Sequence, residues 1–91
     1  MSLIDRRIAV ELMNEPERSY STNIAEAWRV LEKLRKRFPW DNITIENIVT
    51  QHDEYRWICS ITNQPPCVGE SAPETICRMA LQLNKEVGKL K

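Results

Sequence analysis

In STNIAEAWRVLEKLRKRF, Ser21 to Phe38, the apolar residues Ile24, Ala27, Trp28, Leu31, Leu34 and Phe38 recur at steps of three and four. That period puts them on one stripe of a helix, with Trp28 as its largest buried surface. A stripe of this kind needs an apolar sheet face to lie on. Asn23 with Glu26, or else Ser21 or Thr22, is placed to satisfy the unpaired N–H groups of the first turn. Lys33, Arg35, Lys36 and Arg37 sit where the negative end of the helix dipole favours cations, and Pro39 stops the helix.

Downstream the period changes from a helical one to alternation. Ile43 and Ile45 alternate with Thr44 and Glu46, and Ile48 and Val49 extend the β-branched run, which predicts a strand over Ile43 to Thr50. The alternation slips by one residue at Asn47, so a bulge or bend is expected there. After a polar turn at 51–54, Tyr55, Trp57, Cys59 and Ile61 alternate with Arg56, Ile58, Ser60 and Thr62 as a second strand, with Tyr55 and Trp57 expected on the core side. The two strands pair as a hairpin. Pro65 and Pro66 bar a central strand, while Cys67 and Val68 are able to form a short edge strand before Gly69.

The run Ser71-Ala72-Pro73-Glu74 carries the signals of a helix start, and the helix it opens extends to about Val87, with Gly88 as its C′ residue. Ile76, Met79, Ala80, Leu83 and Val87 form one stripe. Cys77 and Leu81 add a second shoulder, which either the first helix or a partner subunit must cover. At the other end, Ser2 with Asp5 is a cap signature, and Ile4, Ile8 and Leu12, with Ala9 and Met13, give a short helix from Leu3 to Met13. A linker from Asn14 to Ser19 follows, fixed by Pro16. The predicted fold is therefore α+β: a single domain over 1–91, with a small antiparallel sheet of two or three strands sandwiched by helices in the order α-α-β-β-(β)-α.

Ninety-one residues make a modest core, and the 13 basic and 13 acidic side chains cancel, so no global field steers a polyanion. The N-terminal run has charges inside its apolar pattern, which argues against a secretory signal or a membrane span, and a cytoplasmic location is expected. Three cysteines, Cys59, Cys67 and Cys77, are an odd number in a strand, a loop and a helix; they read as reduced packing thiols rather than a disulfide framework or a metal knuckle. His52, the one histidine, lies between polar turn residues with no second imidazole, and reads as a solvated hairpin tip rather than a base or ligand. With glycine at Gly69 and Gly88 alone, a phosphate-cradling loop is absent. No catalytic residue, metal or cofactor is expected.

Two weaker binding signals remain. Arg29, Lys33, Lys36 and Arg37, with Arg35, concentrate positive charge on the outer side of the central helix, yet Asp41 to Glu54 holds four acidic residues and no Lys or Arg, so nucleic-acid binding is disfavoured. A small anionic ligand fits better: Arg56 and Arg78 come from different elements, Trp40 and Tyr55 offer stacking faces, and the last helix presents free N–H groups at its start.

Taken together, Tyr20-Ser21-Thr22 with Ile24, Ala25, Ala27 and Trp28, then Trp57-x-Cys59, then Glu70-Ser71-Ala72-Pro73 running into Ile76-Cys77-Arg78-Met79-Ala80-Leu81, resemble the phage ABA-sandwich domain family. The resemblance covers about Tyr20 to Leu83. It implies helices on both sides of a central sheet and a phage or prophage origin, and it implies no reaction. Glu15 and Pro16 stand where the family's Gly-Trp pair closes the first helix. By analogy with other small phage proteins that lack catalytic residues, the expected function is a counter-defence protein that sequesters a small nucleotide-type signal in a homo-oligomer. Arg56, Arg78, Trp40 and Tyr55 would hold the ligand, and Cys77 and Leu81 would lie at a subunit contact. The alternative is a protein-interaction module that inhibits or adapts a host or phage protein.

Overall fold

The computed structural model describes residues 2–89, with side chains through Asn84. Helix α1 spans Leu3–Arg7 and continues as a π-helical segment, Ile8–Met13. Helix α2 spans Ile24–Arg37, strands β1, β2 and β3 span Ile43–Val49, Tyr55–Ile61 and Cys67–Gly69, and helix α3 spans Ala72–Lys89. The fold is α+β, as predicted, with one antiparallel sheet in the order β1-β2-β3.

The local signals in the sequence produce the element ends. Ser2 Oγ accepts from the Asp5 N–H at 3.0 Å and starts α1. Asn23 Oδ1 accepts from Ala25 N–H at 2.9 Å and Glu26 N–H at 3.3 Å and starts α2. At α3, Ser71 Oγ accepts from Glu74 N–H while Glu74 Oε2 accepts from Glu70 N–H, both at 3.3 Å. The first helix ends at Asn14, whose φ of 52° is the left-handed conformation that asparagine tolerates.

What the helices rest on differs from the expectation. The helix that lies on the sheet is α3, and α2 packs on α3 instead. Thr75, Ile76, Cys77, Met79, Ala80, Leu81 and Leu83 are all buried, so α3 is enclosed on almost every side, which explains its wide apolar arc. One flank meets Cys59 and Ile61 of β2, another meets Ala27, Val30 and Leu34 of α2, and the shoulder at Cys77 and Leu81 is covered by the first helix. Cys77 and Leu81, expected at a subunit contact, are therefore core residues of a single chain.

The stripe of α2 is corrected with it. Val30 is fully buried, whereas Ile24 and Trp28 are half exposed, because packing on α3 turns their flank of the helix outward. Tyr20, in the turn before α2, is fully buried. The β1–β2 register runs unbroken from Ile43↔Ile61 to Val49↔Tyr55, so the bulge expected at Asn47 is not formed; Asn47 Nδ2 instead donates to the Arg56 carbonyl at 3.0 Å. The short third strand is present, with Cys59 opposite Cys67. Helix α3 runs on through Gly88 to Lys89, so Gly88 does not end it. The side chain of Val87 lies outside the described residues.

The core draws on one face of the sheet. Ile43, Ile45, Cys59, Ile61 and Cys67 meet the helices, while Thr44 and Glu46 on the opposite face are exposed. Toward the hairpin tip the helix-side face runs beyond its cover, leaving Val49 and Tyr55 in solvent. Tyr55 is thus not a core residue.

Candidate functional site

Because α2 is held against α3 through Ala27, Val30 and Leu34, its adjoining flank faces the sheet across an open groove. Ile24, Ala25 and Trp28 of α2, Ile45 of β1, Trp57 of β2 and Ala72 of α3 enclose a groove of about 390 Å³. Every lining residue is apolar. The register places Asn47 opposite Trp57 and Cys59 opposite Ile45, so Ile45 and Trp57 are diagonal neighbours on the groove floor. Trp28, 50% exposed, forms the wall, and Val49 and Tyr55 carry the apolar strip on toward the hairpin tip. Sequence reasoning assigned Trp28 and Trp57 to the core and so missed the groove. The sign available was the two-shouldered arc of α3, which marked α3 as the helix that needed cover on several sides.

Beside the groove, the basic row expected on α2 is partly consumed by structure. Arg29 donates from Nη1 and Nη2 to the two Glu15 oxygens, each at 2.8 Å, and from Nη1 to Glu26 Oε2 at 2.9 Å. Tyr20 Oη donates to Glu15 Oε1 at 2.7 Å, and Arg18 approaches both carboxylates. Arg29 and then Tyr20 hold the Glu15 carboxyl down at about 2. Burial, and next the Glu15 bond, push the Tyr20 phenol up. Arg29 therefore ties the linker to α2. Arg35 Nη1 donates to the Asp41 carbonyl at 2.6 Å, and Arg37 Nη1 donates to Asn84 Oδ1 at 2.8 Å. Lys33 and Lys36 are exposed.

Arg56 and Arg78 do meet. With Gly69, Glu70 and Glu74 they line a second hollow of about 320 Å³ at the start of α3. Each guanidinium already has a carboxylate: Arg78 pairs with Glu74 at 2.7 Å, and Arg56 pairs with Glu54 and donates to the Tyr55 carbonyl. The hollow carries as many acids as bases. Tyr55 and Trp40 do not line it; Tyr55 is exposed on the helix-side face of β2, and Trp40, 94% exposed, stands in the turn after α2. The four residues expected to share one ligand are thus split among three places.

His52 is exposed in the hairpin turn, where Thr50 Oγ1 accepts from the N–H groups of His52 and Glu54. Among the described residues no group of His, Cys, Asp and Glu is placed to hold a metal ion. All three cysteines are free. Burial pushes the Cys59 thiol up to about 11 and the Cys77 thiol to about 12, with Cys67 and Asp5 adding to the respective shifts. Burial also raises Cys67, which donates to Gln82 Oε1 at 2.9 Å. Thiols held protonated in this way are poor nucleophiles. No helix among the described residues is long and apolar enough to cross a membrane.

The family model described as the phage ABA sandwich domain matches residues 4–81. No match is found among curated proteins, and none among solved structures.

Proposed function

This chain belongs to the phage ABA sandwich domain family, and we propose that it is a non-catalytic binding protein that works by contact with another protein in the host cytoplasm. The observation that carries the reading is the apolar groove between α2 and the sheet, where Trp28 stands half exposed over Ile45 and Trp57. Half-buried tryptophans over an apolar floor are side chains of the kind that anchor protein interfaces. A target among host defence proteins would make the chain a counter-defence inhibitor.

The test is affinity capture from infected cells with the wild-type chain and with Trp28→Glu. Since Trp28 is half exposed and not part of the core, the variant is expected to keep its fold by circular dichroism. The expected result is one protein retained by the wild type in fixed ratio and lost from the variant. Equal retention by both chains would remove the groove from the function.

A second reading is supported by the convergence of Arg56 and Arg78 on one hollow: sequestration of a small nucleotide-type signal, in a homo-oligomer. It ranks lower because a phosphate would have to displace Glu74 and Glu54 from their arginines. Calorimetry and native mass spectrometry with cyclic and ADP-ribose-type nucleotides decide it. Binding by the wild type that Arg78→Ala abolishes supports it, and no binding removes it.

A further inference from the structure

We propose that the outer edge of β1 is a strand-addition site, which takes an extended, basic segment of a partner protein as a fourth strand of the sheet. The inference rests on the reading of the chain as a protein-interaction module and names the backbone through which it acts. Strand β1 is one of the two sheet edges. The ladder with β2 closes through Thr62 N–H to the Asn42 carbonyl at one end and Thr50 N–H to the Glu54 carbonyl at the other. Even-numbered residues of β1 therefore bond to β2. Ile43, Ile45, Asn47 and Val49 point their N–H and C=O groups away from it, and among the described residues nothing bonds to them.

The two edges of this sheet are treated differently. β3 has three residues and follows Pro65 and Pro66, which are devices that stop a strand from recruiting another. β1 has seven residues, an unbroken register, and neither Pro nor Lys within it. The edge is thus open and regular over its whole length.

Its surroundings specify the occupant. Trp28, Leu31, Glu32 and Arg35 of α2, with Ile43, line a hollow of about 260 Å³ that includes no residue of β2, so it lies where the inward side chains of an added strand would enter. On the other face, exposed Glu46 would occupy a close, non-hydrogen-bonded pair with the new strand, where a cation is favoured and an anion disfavoured. The segment Asp41 to Glu54 holds Asp41, Glu46, Asp53 and Glu54 and no Lys or Arg. The fitting partner segment therefore alternates apolar residues, facing α2, with basic residues on the open face.

The test is amide hydrogen exchange of the full chain by NMR, with the capped peptide Lys-Val-Lys-Val-Lys-Val-Lys and its Glu-Val counterpart as probes. With the Lys-Val peptide at saturation, the amides of Ile43, Ile45, Asn47 and Val49 are expected to exchange about tenfold more slowly, with Thr44, Glu46 and Ile48 unchanged and the Glu-Val peptide inert. Glu46→Lys, an exposed change that alters no backbone donor, is expected to weaken the Lys-Val peptide about tenfold, and Asn47→Pro to abolish the protection. Unchanged exchange at saturation, or protection that survives in Asn47→Pro, would overturn the proposal. So would protection without peptide that grows with protein concentration, since a second copy would then own the edge. A null titration beside a Trp28→Glu chain that loses its partner removes the edge and leaves the groove; an active edge beside undiminished capture does the reverse.

Discussion

Glu15 has a larger part in the structure than its place in a linker foretells. It accepts from Arg29 and Tyr20 at once, and so joins the end of the first helix to the body of α2. Its carboxyl titrates at about 2, below the ordinary 4.5, so the stability it contributes is fully present above pH 4.5 and is lost as pH falls from there toward 2. Across that window the urea midpoint of the wild type should fall more steeply than that of Glu15→Gln; parallel curves would remove this role. Gly69 carries a second constraint. A Cβ there would lie 2.4 Å from Thr75 Oγ1, which is buried and donates to the Ser71 carbonyl at 2.6 Å. Gly69→Ala should cost about 1–3 kcal/mol in chemical denaturation, as overpacking does. Neither residue was legible in advance, because the clamp and the close approach join positions from different elements, outside the reach of any local motif, while the caps at Ser2, Asn23 and Ser71 were legible because their partners lie within four residues.

Among the elements, α2 separates what a period reveals from what it leaves open. At about 100° per residue, Val30, Leu34, Ala27, Phe38 and Leu31 span the buried arc, while Trp28 falls a full 100° from Ala27, on its flank. The spacing identified a helix and its apolar side, but the size of Trp28 drew the stripe toward the wrong shoulder. Periodicity states which residues share a face and does not state what the face meets. The prediction follows from that geometry: Leu34→Ala should destabilise by about 2–5 kcal/mol, and Trp28→Ala by clearly less despite removing more atoms, as measured by urea titration. An equal or greater loss at Trp28 would mean that its indole is held more firmly than its exposure indicates. The hairpin was read closely because alternation is unambiguous when both strands carry it; the slip inferred at Asn47 misled because the β-branched run continues through a regular strand.

For the molecule as a whole, the layers are joined through one element. Sheet, first helix and α2 all pack on α3, and the expected α+β order is met with α3 and not α2 at its centre. The surfaces proposed for binding lie where α3 does not reach, in the groove beneath Trp28 and along the outer edge of β1, and the hairpin face at Val49 and Tyr55 is likewise uncovered. These were not legible in the sequence, since an exposed tryptophan and a buried one are the same letter. A chain ending at Glu70 should lack a cooperative urea transition and bind a hydrophobic dye, although it retains the first helix, α2 and all three strands. A cooperative transition in that fragment would place the core elsewhere.

The lateness of α3 in the chain has a consequence for how the protein is made. Until the ribosome has released Ile76 to Leu83, the nascent hairpin has no cover for Cys59 and Ile61, and α2 has no seat for Leu34. Assembly must therefore wait for translation to pass α3, and until then the unfinished polypeptide carries its greasiest surfaces uncovered.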